Sequence, residues 1–334
     1  MLDSREADLR KPVFVKAAGR PGEPECGAAG RGQRQTTLSN AHLRLEVEAG
    51  SHGGIAQLAW NDRGMWTPIF RRARRPGHMP APRGLSCQPS IRIPDLAKGI
   101  RAPATPAGIR LAGASRPFPM CDVALTDDWE VDSVGERSLR LKTAVAERYR
   151  AVQTYELDGP TLAIAVELEN GGHAPLQCGI DIGLVLMRDT DTRISAPAGG
   201  IWIAAGTGKT PRLVPTPFAW QFGVTHPLPA TTVDHAFTGW GGRALVEWPA
   251  RQFSLAIVGN TDCYRLCAHP EDDSFSFQVM NEQSEHRCVR DGDGVRGLTV
   301  LAAGETLSRR VSFTVERLAS LTKTTRACIA EQDK

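Results

Sequence analysis

The chain has 334 residues, of which 41% are hydrophobic and 23% charged, as in an ordinary soluble globular protein. Its formal net charge of +3 does not indicate a nucleic-acid partner. No apolar stretch reaches the roughly 18 residues of a membrane span, and the charged start MLDSREADLRK lacks the apolar segment of a secretion signal. We therefore expect a cytoplasmic protein that binds neither nucleic acid nor membrane.

The cysteines and the arginine-rich run at 71–75 do not indicate a site. Eight cysteines are scattered without a CxxC pair, and free thiols are expected in a chain without a secretion signal. Cys263, Cys267 and His269 are spaced like metal ligands, but alternation along one strand explains them better. The arginine run is typical of a solvated loop. We therefore expect no metal and no cofactor.

The first part of the chain changes character near residue 38. Residues 1–37 mix Gly, Ala, Pro and charge without a period, which predicts a flexible N-terminal extension. Residues 42–48 alternate strictly between apolar and polar, the pattern of a half-buried strand, and 55–60 resume it after a Gly-Gly break. Residues 71–119 are rich in Pro, Arg and Gly and are interpreted as loops laid across the rim of a sheet.

The rest of the chain consists of short candidate strands with turn signals between them. Helical periodicity is hard to find, and this combination predicts an all-β fold, one large antiparallel β-sandwich over 38–318 with a C-terminal tail at 319–334. The later strands are predicted at 129–134, 139–145, 151–157, 161–169, 176–186, 244–248, 253–258, 275–280, 298–301 and 310–317.

Three segments, in order, resemble the aldose 1-epimerase (galactose mutarotase) family. Residues 43–58 look like the family's opening hairpin, and 233–240, VDHAFTGW, are similar to its D-x-x-F-x-G-W stretch. Residues 301–307, LAAGETL, resemble its closing L-x-P-G-E-x-L turn. The resemblance spans the whole predicted globular part. It implies a galactose mutarotase-like supersandwich that binds a carbohydrate or sugar-like ligand, and we expect a monomer or a homodimer.

The family's activity is the interconversion of sugar anomers. Because the ring opens, the anomeric hydroxyl loses a proton and the ring oxygen gains one, which requires a general base and a general acid. In the family a Glu is the base and a His the acid, while a second His, an Arg and an Asp bind the hydroxyls.

Several of these residues are matched by the resemblance. Asp234 falls on the sugar-binding Asp, and Arg92, in the stretch SIRI, falls on the sugar-binding Arg. Glu282 and His286, in EQSEH, reproduce the catalytic Glu and the following His of the family's E-P-x-[ST]-H pattern. A register four residues earlier places Gln278 at the position of the base, where an amide cannot act.

The remaining candidates are aromatic or lie beside matched residues. Trp240 and Phe237 are candidates for stacking on a sugar ring, although core packing is the commoner use of such side chains. His235 follows Asp234 directly, so the two side chains face opposite ways along a strand. A structural role for His235 is therefore favoured.

The family's two active-site histidines are replaced in this chain. The H-G-H-G-W stretch corresponds to 121–125, CDVAL, and the G-x-x-H-P-Y-F stretch places Gly183 where the catalytic His belongs. Asp181 shares a strand face with Gly183 and is a candidate replacement acid, since a partly dry pocket can keep a carboxyl protonated. The alternative is that Asp181 is a hydrogen-bonded polar residue of a core strand.

Three hypotheses about function follow. The first is an aldose 1-epimerase-like isomerase, an enzyme with an altered proton donor. The second is a carbohydrate-binding protein that has lost the chemistry, and the third is a different reaction on the same scaffold. The candidate site consists of Glu282 and Asp181 as catalytic residues and of Asp234, Arg92, His286 and Trp240 as substrate-binding residues.

Overall fold

The computed structural model describes residues 35–49, 53–71, 85–93, 129–145, 147–203, 212–280, 290–291, 294–295 and 298–318. These residues form β-strands and two short 3-10 turns, Phe218–Trp220 and Pro249–Arg251. They belong to one compact unit, Gln33–Lys334. No helix in the part of the chain that the structure describes is long and apolar enough to cross a membrane.

The strands are numbered in chain order. The first eleven are β1 (Gln35–Ser39), β2 (Leu43–Glu48), β3 (Gly54–Asp62), β4 (Met65–Pro68), β5 (Cys87–Arg92), β6 (Glu130–Val134), β7 (Ser138–Val145), β8 (Tyr149–Asp158), β9 (Thr161–Asn170), β10 (Leu176–Met187) and β11 (Arg193–Ser195). The others are β12 (Gly200–Ile203), β13 (Arg212–Pro215), β14 (His226–Pro227), β15 (Val233–Thr238), β16 (Arg243–Trp248), β17 (Phe253–Gly259), β18 (Cys263–Ala268), β19 (Ser274–Met280), β20 (Arg290–Asp291), β21 (Gly294–Val295), β22 (Thr299–Leu301) and β23 (Thr306–Arg317).

The described strands form two large sheets and one small hairpin. The 12-stranded sheet has the order β1-β2-β3-β5-β10-β19-β18-β15-β12-β13, with β4 added at β3 and β22 at β10. The nine-stranded sheet has the order β14-β11-β16-β17-β23-β9-β8-β7-β6, and β20 pairs with β21. The pairings between the described strands are antiparallel, which confirms the predicted fold class.

One core lies between the two large sheets. The Trp60 and Phe253 rings meet across it with centroids 5.7 Å apart, and Phe70 contacts Phe313 edge-on at 5.4 Å. Strands with one face on this core alternate in burial, as the sequence pattern predicted; β8 is an example, with every second side chain buried. The hydrophobic periodicity therefore reports the inner face of each sheet correctly.

Several short strands, among them β4, β11 and β13, were not predicted, and two further parts of the chain differ from the expectation. β1 begins before residue 38, where the sandwich was predicted to start; its only buried side chain is Leu38, so its periodic signal is weak. β5 lies inside the segment interpreted as loops. The Pro, Arg and Gly content of the whole segment led to this interpretation, and in the structure even Pro89 lies within the strand, opposite Ile182 of β10.

Strand β10 positions the candidate site. It is buried along nearly its whole length, with β5 on one side and β19 on the other. One of its faces belongs to the core, while the other carries Asp181 and Gly183. This second face is called the outer face of the large sheet below.

Candidate functional site

The outer face of the large sheet brings together polar residues from five strands. In antiparallel pairs, residues opposite each other point to the same side. One cross-strand row therefore contains Gln88, Gly183, Gln278, Arg265 and Ala236. A neighbouring row contains Val185, Ser276, Cys267 and Asp234, and on the other side Asp181 lies opposite Ser90 and Gly179 opposite Arg92.

A buried ion pair joins Arg92 to Asp181. The guanidinium binds both carboxylate oxygens, with Nε 2.6 Å from Oδ2 and Nη2 donating to Oδ1 at 2.7 Å. Both side chains are almost fully buried, at 5% and 2% exposure. The absence of a side chain at Gly179 makes room for this arrangement, since a Cβ there would lie 2.9 Å from Nη2 of Arg92. The structure thus brings two of the predicted site residues into direct contact.

The ionisation of Asp181 is governed by two opposing effects. Burial raises the pKa of the Asp181 carboxyl above its usual value, while the Arg92 guanidinium and the Gln278 amide act to lower it. Burial is the larger effect, so the pKa of Asp181 is raised on balance, while the contact with Arg92 favours the ionised form.

Gln278 extends this polar group toward β18. Its Nε2 donates to Oδ2 of Asp181 at 3.2 Å, and the residue directly opposite it on β18 is Arg265. The resemblance is compatible with either Gln278 or Glu282 at the position of the family's base. The structure places Gln278 on the outer face, directly across from Gly183.

A second ion pair lies at the other end of the row. Arg265 donates to Oδ1 of Asp234 through Nε at 2.9 Å and lies within 2.8 Å through Nη2. Unlike the first pair, it is partly open to solvent, with side-chain exposures of 22% and 33%. Asp234 is therefore a carboxylate that a ligand from solution can reach.

A small apolar patch borders the polar row. Ala236, Cys263 and Met280 are buried together on the outer face, and the half-buried Trp202 packs against them. An indole ring beside hydrogen-bonding groups is the combination that small polar ligands with an apolar face require.

Trp240 lies on the opposite side of the sheet. Its ring is 3% exposed and packs edge-on against Tyr264 and Phe277, with centroids 5.5 and 5.8 Å apart. Its Nε1 donates to the backbone carbonyl of Arg243. Phe237 is likewise buried in this core, stacked on Tyr264. Both aromatic rings are therefore left out of the site.

His235 follows the alternation expected from the sequence. Its neighbour Asp234 faces the outer row, whereas its imidazole contacts the Trp220 ring at 5.1 Å. Burial lowers the pKa of His235 below its usual value, although the nearby Asp234 acts in the opposite direction. The neutral imidazole is therefore favoured at neutral pH.

Glu282 and His286 lie outside the described residues. The last described residue of β19 is Met280, on the strand that carries Gln278. The roles of Glu282 and His286 therefore remain those that the resemblance implies.

The Cys263, Cys267 and His269 spacing does not produce a metal centre. Cys267 Sγ lies 3.6 Å from Nε2 of His269. Burial raises the pKa of the Cys267 thiol to about 12, so this side chain is a neutral thiol at neutral pH. Among the described residues, no group of three or more His, Cys, Asp or Glu side chains is placed to hold a metal ion.

Sequence reasoning missed three residues of the outer face: Gln88, Arg265 and Trp202. Burial does not alternate along β5, β12 or β18, so the period of two gives little signal at these positions. The pattern does not say which face becomes a site, because that depends on strands far apart in sequence.

Comparisons with known proteins agree on the fold. No family model matches the chain. It is 26% identical over 311 residues to the uncharacterised protein YphB of Escherichia coli strain K12, covering 84% of this chain and 99% of that protein. Among solved structures, a proposed aldose 1-epimerase from E. coli K12 superposes with a TM-score of 0.64 at 22% identity, covering 86% of this chain and 100% of that one.

More distant organisms provide similar structures. A galactose mutarotase-like protein from Clostridium acetobutylicum gives a TM-score of 0.63 at 11% identity, covering 86% of this chain and 96% of that one. A GalM/aldose epimerase homologue from C. elegans gives 0.60 at 12% identity, covering 86% and 100%. The chain has the galactose mutarotase-like fold. Identities this low show the fold alone, so the activity has to be argued from the site.

Proposed function

We propose that the outer face binds a sugar or sugar-like ring and that the chain is an aldose 1-epimerase-like isomerase. The observation that carries the proposal is a continuous polar band from Arg92 through Asp181 and Gln278 to Arg265 and Asp234, across the middle of a mutarotase-like sheet. Sugar hydroxyls both donate and accept hydrogen bonds, and this band offers carboxylate, guanidinium and amide groups.

The binding roles follow from exposure and position. Asp234 is partly exposed and accepts hydrogen bonds from sugar hydroxyls, with Arg265 fixing its orientation. Trp202 provides the apolar side of the site. Arg92 is held in place by Asp181, and we propose that it contacts the ligand from this fixed position.

The proton transfers require a base and an acid. We propose Glu282 as the base that removes the anomeric proton. Asp181 is our candidate for the acid that protonates the ring oxygen, because burial raises its pKa. The ion pair with Arg92 opposes protonation of Asp181. Enzyme-dependent exchange is therefore expected to be slow at neutral pH and faster toward pH 5, as long as Glu282 stays ionised.

Anomer exchange measured by NMR tests this proposal. Exchange between the α and β forms of D-galactose and D-glucose is measured with and without protein, so that the uncatalysed rate is subtracted. Wild type is expected to accelerate exchange, and Glu282→Gln to reduce the acceleration by about 100-fold or more, as for loss of a general base. Glu285→Gln, in the same segment, is the matched control and should retain the rate. Equal rates for wild type and Glu282→Gln would remove Glu282 from the mechanism.

A non-catalytic sugar-binding protein is the second candidate. The observation that favours it is that Asp181 and Asp234, the two carboxylates described in the band, each bind an arginine. In that case, sugars bind saturably and Asp234→Ala weakens binding, while no variant or pH produces exchange above the uncatalysed rate.

A further inference from the structure

The amide of Gln88 has an unusual environment. The residue is 2% exposed, and neither its Nε2 nor its Oε1 has a hydrogen-bond partner among the residues that the structure describes. Burial without a partner costs free energy that a polar group recovers only when something binds to it. Such groups in folded proteins call for an explanation, and a bound ligand is one of those available.

The position of Gln88 connects it with the proposed site. It lies on the outer face of β5, directly opposite Gly183 of β10, and Gln278 of β19 lies on the other side of Gly183. Neighbouring strands are roughly 4.8 Å apart, so the backbones of β5 and β19 are separated by roughly 10 Å. Gly183 has no side chain to occupy the space between the two amides.

Two arginines near this gap are each paired with a carboxylate. Arg92 binds Asp181 on one side, and Arg265 binds Asp234 farther along the row. Gln88 and Gln278 themselves are neutral, and each amide has both a donor and an acceptor. Solvent reaches this part of the face at the half-buried Ser90 and Gln278.

We propose that Gln88 and Gln278, across Gly183, form a subsite for two adjacent hydroxyl groups of an uncharged ring. One hydroxyl accepts a hydrogen bond from an amide nitrogen, and its neighbour donates to an amide oxygen. An anionic group such as a phosphate is disfavoured here, because Arg92 and Arg265, two described arginines of the band, are each already bound to a carboxylate. This inference rests on the proposed sugar-binding function and specifies the class of ligand.

The variant Gln88→Met separates a ligand-binding role from a structural one. Methionine has a similar length but no amide. Since the described structure gives the Gln88 amide no hydrogen bond, its removal is expected to leave the melting temperature unchanged or raise it. Affinity for D-galactose or D-glucose is expected to fall by about tenfold or more, through loss of hydrogen bonds to the ligand.

Gln153→Met is the matched control. Gln153 is also fully buried, and its Nε2 likewise has no partner among the described residues, but it lies in the core, where its Oε1 accepts a hydrogen bond from the Tyr155 hydroxyl at 3.0 Å. This control should lower the melting temperature and leave the affinity for sugar unchanged. Gln278→Met provides a second test at the subsite and should weaken binding as Gln88→Met does.

The experiment is a titration of the full chain with D-galactose, D-glucose and glucose 6-phosphate, observed by NMR, together with thermal unfolding of each variant. Unchanged affinity in Gln88→Met, or a fall in its melting temperature like that of Gln153→Met, would overturn the subsite while leaving the proposed function standing. Binding of glucose 6-phosphate about tenfold tighter than glucose would overturn the uncharged-ligand class. A wild-type protein that binds neither aldose would refute the proposed function itself, and the subsite with it.

Discussion

The two faces of strands β10, β19, β18 and β15 carry different chemistry on one shared backbone. On the inner face, Phe237, Tyr264 and Phe277 stack in sequence with centroids 4.8 and 4.7 Å apart. On the outer face, Arg265 and Gln278, which are next to two of these rings in the chain, join a polar band that contains two ion pairs. Because neighbouring side chains point to opposite sides, a site is built without disturbing the core. The predictions below test how independent the two faces are.

The largest effect is expected on the inner face. Trp240→Ala removes a buried ring and should lower the free energy of unfolding by about 3–5 kcal/mol, measured by denaturant titration. The folded fraction should bind sugar as wild type does. Trp202→Ala on the outer face is the comparison, with a smaller stability loss and weakened binding. Lost binding in Trp240→Ala without a stability change would return Trp240 to the site.

The next effect is at the buried ion pair. Arg92→Met leaves the Asp181 charge buried without its guanidinium and should cost about 3 kcal/mol, the lower end of the usual range because Gln278 still donates to Asp181. The double variant Arg92→Met with Asp181→Leu should recover most of this loss, since two apolar groups replace the pair. A double variant as unstable as the single one would mean that the outer face depends on these charges for folding.

A smaller stability effect is expected at the partly exposed pair. Arg265→Met should change the free energy of unfolding by at most about 1 kcal/mol, because solvent screens the contact with Asp234. Sugar affinity should nevertheless fall, since Asp234 loses the group that orients it. Titration with sugar and denaturant unfolding of the same sample measure both quantities. A stability loss as large as that of Arg92→Met would contradict the conclusion that solvent screens this ion pair more than the buried Arg92–Asp181 pair.

The smallest effect concerns pH. Burial lowers the pKa of His235, so between the unfolded value near 6.5 and the lower folded value the unfolded state binds more protons. The neutral His235 imidazole therefore stabilises the folded state above about pH 6.5, and this contribution is lost as the pH falls. His235→Gln should lose less stability than wild type between pH 7 and pH 5 in denaturant titrations, and the same substitution at the exposed His226 serves as control. Equal losses of unfolding free energy in wild type and His235→Gln would refute a contribution of His235 to the pH dependence.

The candidate site was only partly predictable from the sequence. The resemblance pointed to Arg92 and Asp234, and strand alternation placed Asp181 on the same face as Gly183. The ion pairs that these residues form did not follow from the sequence, because Arg92 and Asp181 are 89 residues apart. Trp240 illustrates the limit: its motif match gives no information about which side of the sheet receives the ring.

The all-β class and the longer strands follow from the amino-acid pattern alone, because a half-buried strand repeats every two residues wherever it lies in the chain. The tertiary structure decided the register between distant strands. That register pairs Arg92 with Asp181 and Arg265 with Asp234, and it places Gln88 and Gln278 on either side of Gly183. The physical reason is that antiparallel pairing selects which residues become opposite, and a shift of one residue would turn every side chain to the other face.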